Sequence, residues 1–233
     1  MTETNPILQI DDARFRWPGR ASFGLHVPAL TLNPCETVLL LGESGSGKST
    51  LLSLICGTIT AQSGCVCVAG ADLNALTAGQ RDRFRADQIG LIFQQFNLLP
   101  FANVRDNILL PLRFARERRA RVSDPRAEAD RLCRALGLPA DVMTARAGRL
   151  SVGQQQRVAA ARALIGAPPL IVADEPTSSL DAATQTTFLD LLFAQSRAHG
   201  TAILMVSHDA RLSDQFDRVV HMADITTSER DAA

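Results

Sequence analysis

The segment GESGSGKST at residues 42–50 constrains the fold of this chain more than any other segment. It matches the pattern G-x-x-x-x-G-K-[ST], and it lies between an apolar run, TVLLL at 37–41, and a helix-like stretch from about 48 to 56. Glycines let the backbone curl so that successive N–H groups point at phosphate oxygens, and the following helix adds its positive N-terminal end. The sequence therefore predicts a strand, a phosphate-binding loop and a helix.

Lys48 in this loop is the single lysine of a chain with 23 arginines. An ammonium group is a compact cation that fits among backbone amides, whereas a guanidinium is a wide planar fork. Keeping lysine only here indicates a chemical need for an ammonium group at the β- and γ-phosphates, and the hydroxyl of Ser49 suits Mg²⁺.

A second segment, LIVADEP at 170–176, carries acidic side chains that complement the phosphate-binding loop. A continuous apolar run predicts a strand that is buried on both faces, and it ends in the carboxylates Asp174 and Glu175. We expect Asp174 to hold the Mg²⁺ shell and Glu175 to orient an attacking water as general base.

The order of apolar runs and helical patterns predicts an α/β fold with a parallel or mixed sheet covered by helices on both faces. The region from about 94 to 166 has no convincing buried strand and is predicted to be a helical lobe, while the core is predicted at about 1–93 and 167–225 and a frayed polar tail at 226–233. The further predicted elements are strands at 65–70, 89–93 and 202–207 and helices at 123–137, 154–166 and 182–198.

The overall charge excludes one class of protein. Lys plus Arg and Asp plus Glu each number 24, so the formal net charge is zero, which argues against a general nucleic-acid binder.

No apolar run approaches the ~18–20 residues of a membrane span, and the N-terminus does not resemble a secretory signal. We expect a globular chain without a membrane-spanning segment of its own.

Three further patterns each favour an ordinary structural role. Five cysteines without a CxxC pair indicate small core residues rather than metal or redox chemistry, although Cys65 and Cys67 share one face of a predicted strand. The arginine-rich stretch 113–121 is typical of a solvated helix face, with contact to anionic lipid or an acidic partner as the alternative. In LSVGQQQR at 150–157, Ser151 is predicted to cap a helix whose N-terminus can bind an anion.

Taken together, the motifs resemble those of ABC transporter ATPase subunits over about residues 6–223, in the order of that family. GESGSGKST resembles the Walker A loop, LSVGQ at 150–154 the signature, LIVADEP the Walker B strand with its following glutamate, and SSLD at 178–181 the D-loop. Gln94 and His208 occupy the positions of the Q-loop glutamine and the switch histidine, and Trp17 that of the aromatic that stacks on adenine. Within the family the resemblance is to the lipoprotein-releasing and macrolide-efflux type.

The resemblance implies a set of site residues. Glu175, His208 and Gln94 would be catalytic, and Ser49, Gln94 and Asp174 would bind Mg²⁺. The residues implied to bind ATP are Trp17, Gly42, Glu43, Ser44, Gly45, Ser46, Gly47, Lys48, Ser49, Thr50, Ser151, Gly153, Gln154 and Asp181.

The chain departs from the family pattern in two places. The signature is usually LSGGQ, and a β-branched residue at the position of Val152 would be strained if that position required positive φ, so we predict negative φ there. The adenine platform is usually Tyr, and here Trp17 offers a larger π face, while Phe15 is the rival and is predicted to face the core.

The resemblance also implies a homodimer in which each ATP lies between the phosphate loop of one copy and the signature of the other. An integral-membrane permease would dock near residues 93–106, and the chain would be cytoplasmic and held at the inner face of the cell membrane. Phe96, Leu98, Leu99, Pro100 and Phe101 could be that docking surface or the core of the helical lobe. The alternative function is a non-transport ABC ATPase, either a cell-division regulator of wall cleavage or one of the DNA-repair or translation type.

Overall fold

The computed structural model describes residues 5–18 and 24–229. The strands along these residues are Leu8–Arg16 (β1), Gly24–Leu32 (β2), Thr37–Leu41 (β3), Ser63–Val68 (β4), Ala71–Asp72 (β5), Ile89–Ile92 (β6), Leu170–Asp174 (β7), Ala202–Ser207 (β8), Arg218–His221 (β9) and Thr227–Glu229 (β10). The helices are Lys48–Ile55 (α1), Ala78–Gln88 (α2), Val104–Leu109 (α3), Arg116–Ala120 (α4), Pro125–Ala135 (α5), Val152–Leu164 (α6), Ala182–Ala198 (α7) and Met222–Ile225 (α8). None of the helices among these residues is both long and apolar enough to span a membrane.

The described strands form two sheets. A parallel sheet has the order β6-β7-β8-β3-β9, and an antiparallel sheet has the order β10-β2-β1-β4-β5. The predicted α/β architecture is confirmed, but the parallel and antiparallel strands lie in different sheets rather than in one mixed sheet. The physical reason is visible in the burial: β7 is apolar and buried along Leu170–Ala173, whereas β1 alternates between buried and exposed residues, as a strand with one solvated face does.

The parallel sheet separates two hydrophobic clusters. Along β3, Val38 and Leu40 belong to the cluster shared with α1 and the antiparallel sheet, while Leu39 and Leu41 belong to the cluster formed with α3, α5, α6 and α7. Successive side chains of a strand point to opposite faces, so one short apolar run contributes to both clusters. This burial fixes the register of the sheet whose edge carries the candidate site.

The chain between β6 and β7 consists of helices α3 to α6 and short 3-10 turns, without a regular strand among its residues. Arg118, which the sequence places on a solvated face, is instead 2% exposed. Its guanidinium donates hydrogen bonds to the carbonyls of Arg162, Ala163 and Ile165 at the C-terminal end of α6. The last carbonyls of a helix have no partner within the helix, and this buried cation supplies one, which is why the prediction of a solvated Arg118 is wrong.

The apolar cluster at 96–101 is divided between core and surface. Phe96 is 6% exposed and packs in the core, whereas Phe101 is 75% exposed. Phe96 and Asn97 both have positive φ, and their carbonyls accept hydrogen bonds from the buried Arg162 of α6, so this turn directs Phe96 inward. Of the two alternatives, Phe96 fits the core and Phe101 fits an exposed docking surface.

The C-terminal tail differs from its prediction. Residues 227–229 form strand β10, which pairs with β2 through Thr227 opposite His26, and His26 Nδ1 lies 3.0 Å from the hydroxyl of Thr227. The edge of β2 has unpaired backbone N–H and C=O groups, and residues 227–229 pair with them although the segment is polar. The remainder of the predicted frayed tail, 230–233, lies outside the described residues.

Candidate nucleotide-binding site

The parallel sheet brings the predicted site residues to one edge. The glycine-rich loop follows β3, His208 follows β8, Asp174 ends β7, and Gln94 lies two residues after β6. These four strands are neighbours in the order β6-β7-β8-β3, and the carboxyl ends of parallel strands meet at the same edge. Residues more than a hundred positions apart in the sequence therefore lie side by side.

A pocket of about 780 Å³ opens at this edge, a size that suits a nucleotide. Every residue lining it belongs to the set predicted from the sequence. The lining consists of Trp17, Glu43, Ser44, Gly45, Gly47, Lys48, Ser49, Thr50, Gln94, Asp174, Glu175 and His208. Gly42 and Ser46 belong to the loop without lining the pocket.

The loop has the backbone conformation that its glycines allow. Gly45 and Gly47 have φ of 80° and 98°, and Gly47 is the N-cap of α1. Such left-handed conformations are costly for other residues. Gly42 is required for a different reason, since a Cβ there would lie 2.7 Å from Ser46 Oγ. The glycines of this loop are therefore required by its backbone conformation and close packing.

Lys48 lies over this loop. Its ammonium nitrogen donates to the carbonyl oxygens of Gly42 at 2.7 Å and Glu43 at 2.8 Å. Both acceptors are backbone atoms, so the cation stays in the mouth of the pocket without a carboxylate partner in the described part of the chain. A cation held in this way is available to a phosphate group.

The donor set fits Mg²⁺. Ser49, Gln94 and Asp174 all line the pocket with oxygen-bearing side chains, the ligand type that Mg²⁺ prefers. Burial raises the pKa of Asp174, and the negative charge of Glu175 raises it further, while Lys48 opposes the shift. A half-buried carboxylate beside another carboxylate is a favourable place for a divalent cation.

Glu175 is held by unusual backbone geometry. Its φ is 43°, a strained value for a side chain of this size, and its N–H donates to the carbonyl of Val206 on β8. The carboxylate is 17% exposed, and its Oε1 lies 3.0 Å from Nδ1 of His208. The sequence does not predict this strain, and the residue that carries it lines the pocket.

Trp17 lies at the rim of the same pocket and is 36% exposed. Its indole N–H donates to the hydroxyl of Thr50 at 3.2 Å, and its ring meets Phe15 edge to face with centroids 5.1 Å apart. Phe15 is 9% exposed and belongs to the core, as the sequence predicts. Trp17 therefore offers an open aromatic face, and its ring packs against Phe15 on the core side.

The signature residues do not join this pocket. Ser151 caps α6 by accepting a hydrogen bond from the N–H of Gln154, whose side chain in turn accepts from the N–H of Ser151, so the predicted cap is confirmed. Val152 begins α6 with negative φ, as predicted, and Gly153 has open space around it. Asp181 caps α7. None of these residues lines the pocket.

Comparisons with known proteins agree with the geometry. The model of the family described as ABC transporter matches residues 25–178. A lipoprotein-releasing system ATP-binding protein LolD from Novosphingobium aromaticivorans is 42% identical over 94% of this chain and 97% of its own length. The macrolide export ATP-binding/permease protein MacB from Rhodopirellula baltica is 39% identical over 86% of this chain, which spans only 29% of that protein.

Among solved structures, this chain resembles a dimeric structure of the ATP-binding cassette MJ0796 in a post-hydrolysis state bound to ADP and Pi. The TM-score is 0.77 at 29% sequence identity, and the match covers 97% of this chain and 99% of that chain.

Proposed function

The chain belongs to the ABC transporter family, and we propose that it is the ATP-binding, ATP-hydrolysing subunit of a transporter that drives a separate membrane permease. One observation carries the proposal. One nucleotide-sized pocket is lined by the glycine-rich loop together with Gln94, Asp174, Glu175, His208 and Trp17.

In this proposal each group has a task. The residues of the loop 42–50 bind the phosphates, with Lys48 at the β- and γ-phosphates, and Trp17 stacks on adenine. Ser49, Gln94 and Asp174 would hold Mg²⁺, which when bound neutralises phosphate charge. Glu175 orients and deprotonates the attacking water, and His208 holds the carboxylate in position and faces the γ-phosphate.

We further propose that the functional unit is a homodimer. Ser151, Gly153, Gln154 and Asp181 lie outside the pocket, and in a head-to-tail dimer they would complete the site of the second copy. The dimeric state named for the MJ0796 cassette supports this arrangement. ATP would favour the closed pair because both half-sites bind it, and hydrolysis would remove the bridging γ-phosphate.

The names of the relatives support a lipoprotein-release or export system. We propose that the permease docks near residues 93–106, with Phe101 exposed at that surface, and holds the chain at the inner face of the cell membrane. The chain would be one ABC ATPase domain, with a core of about 1–93 and 167–225 and a helical lobe of about 94–166.

Affinity purification from detergent-solubilised membranes tests the proposal. An integral-membrane permease should co-purify with the wild-type chain and with Asp190→Ser, a control at an exposed position of α7. It should be lost from Phe101→Ser, whose thermal melting should match that of wild type. Recovery of ribosomal or other soluble partners alone would contradict a transport role and favour a non-transport ATPase.

A further inference from the structure

A pair of thiols lies on strand β4, away from the nucleotide pocket. Cys65 and Cys67 have their Sγ atoms 3.0 Å apart, and both side chains are half-buried. Val66 and Val68 of the same strand are buried in the core, so the two cysteines face the other side of the sheet. The interpretation of these two cysteines as small core residues is therefore wrong, because the strand alternation gives the core face to the valines.

A carboxylate completes a three-residue cluster. Strands β4 and β5 form a hairpin in which Cys67 pairs with Asp72, across a turn whose residues Ala69 and Gly70 both have positive φ. Ligand atoms of Cys65, Cys67 and Asp72 all lie within 4.8 Å of one another. One oxygen of Asp72 accepts a hydrogen bond from the N–H of Asn74, which orients the carboxylate.

We propose that Cys65, Cys67 and Asp72 form a binding site for a thiophilic divalent cation of the zinc type. Two sulfurs and one carboxylate oxygen are three of the four ligands of a tetrahedral zinc site. Zinc bonds of ~2.3 Å at tetrahedral angles separate two sulfurs by ~3.8 Å, so the thiols need to move apart by ~0.8 Å. The fourth position is open to water or to Asp11, which pairs with Cys65 from the neighbouring strand β1.

A disulfide is the rival use of this pair, and the backbone disfavours it. Residues two apart on a strand have Cα atoms separated by roughly 6.6–6.8 Å, the upper limit for a disulfide. Bridging them would distort a strand that is hydrogen-bonded to β1 on one side and β5 on the other. A metal ion tolerates the longer sulfur separation and needs only side-chain rotation.

Titration of the nucleotide-free chain with Cd²⁺ tests the site, because thiolate-to-cadmium charge transfer produces an ultraviolet absorption band. We expect a band that saturates at one equivalent, weakens in Cys65→Ser and in Cys67→Ser, and is absent from the double variant. Cys35→Ser removes an exposed thiol outside the cluster and should leave the band intact. An undiminished band in the double variant would overturn the proposal.

A second measurement begins with the unaltered cluster. Zn²⁺ should protect Cys65 and Cys67 of the wild-type chain from alkylation, mapped by mass spectrometry, while Cys35 stays reactive. Asp72→Asn keeps the acceptor for Asn74 but loses the charge, so it should weaken Zn²⁺ binding by about tenfold or more. Equal alkylation of the pair with and without Zn²⁺ would also refute the site.

Discussion

Nδ1 of His208 lies 3.0 Å from Oε1 of Glu175, and the two residues follow neighbouring parallel strands. Glu175 is mostly buried and strained, while His208 is 62% exposed, and both residues line the pocket. This contact joins the residue proposed to activate water to one proposed to sense the γ-phosphate.

Glu175→Gln should lower the rate of ATP hydrolysis on the order of 10²–10⁴-fold while ATP binding persists, because an amide keeps the shape of the side chain and loses the base. The variant should accumulate as an ATP-bound dimer in size-exclusion chromatography. His208→Gln should lower the rate in the same assay without preventing binding. Hydrolysis at the wild-type rate in Glu175→Gln would remove this residue from the mechanism.

Lys48→Arg should weaken ATP binding by at least about tenfold, nearly as much as Lys48→Ala, since the wide guanidinium cannot take the position of the ammonium between two loop carbonyls. Calorimetric titration with ATP measures the affinity. Arg83→Lys on α2 is the matched exchange in the opposite direction and should bind ATP normally. Normal binding by Lys48→Arg would show that charge alone is sufficient.

Trp17→Ala should cost about 1–3 kcal/mol of ATP binding, the usual contribution of base stacking on an aromatic side chain. Trp17→Phe keeps a smaller ring without the hydrogen bond to Thr50. The affinity of this variant for ATP should therefore fall between those of wild type and Trp17→Ala. The chain has one Trp, and its fluorescence in the wild type should therefore change on ATP binding. An unchanged affinity in Trp17→Ala would exclude the stacking role.

Arg118→Met should destabilise the fold by roughly 2–4 kcal/mol, because it leaves the carbonyls at the end of α6 buried without partners. Denaturant unfolding measures the change. Arg116→Met on the exposed side of the same helix is the control and should stay within about 0.5 kcal/mol of wild type. Equal stability of the two variants would contradict the capping role.

Asp217→Asn should lower stability in a pH-dependent way. The backbone N–H and the hydroxyl of Thr37 donate to its carboxylate and hold the pKa of Asp217 below its ordinary value. The ionised group therefore stabilises the fold above the unfolded pKa of ~3.9, and this contribution is lost as pH falls through the lower folded pKa. The difference in melting temperature from wild type should be largest near neutral pH and shrink in acid.

A matched variant, Asp190→Asn, places the same exchange on the exposed surface of α7 and should melt as wild type does across this pH range. A constant difference between Asp217→Asn and wild type down to pH 3 would show that the charge of Asp217 is irrelevant.

Local patterns were sufficient for a large part of the fold. The strand at 37–41 and the helix at 182–198 have the predicted bounds, because a continuous apolar run marks the strand and Asp181 caps the helix. The sequence patterns missed strand β2 and helix α2. Helix α2 contains no buried residue, so no apolar stripe marks it.

The sequence by itself determined the chemistry that this chain can carry: the phosphate loop, its lone lysine and the paired carboxylates, each defined by neighbours in the chain. Only the tertiary structure decided which of these groups meet, and it also buried Arg118 against α6, strained Glu175 and aimed two thiols at Asp72. These outcomes depend on contacts between residues distant in sequence, where packing and the satisfaction of buried polar groups override local preference.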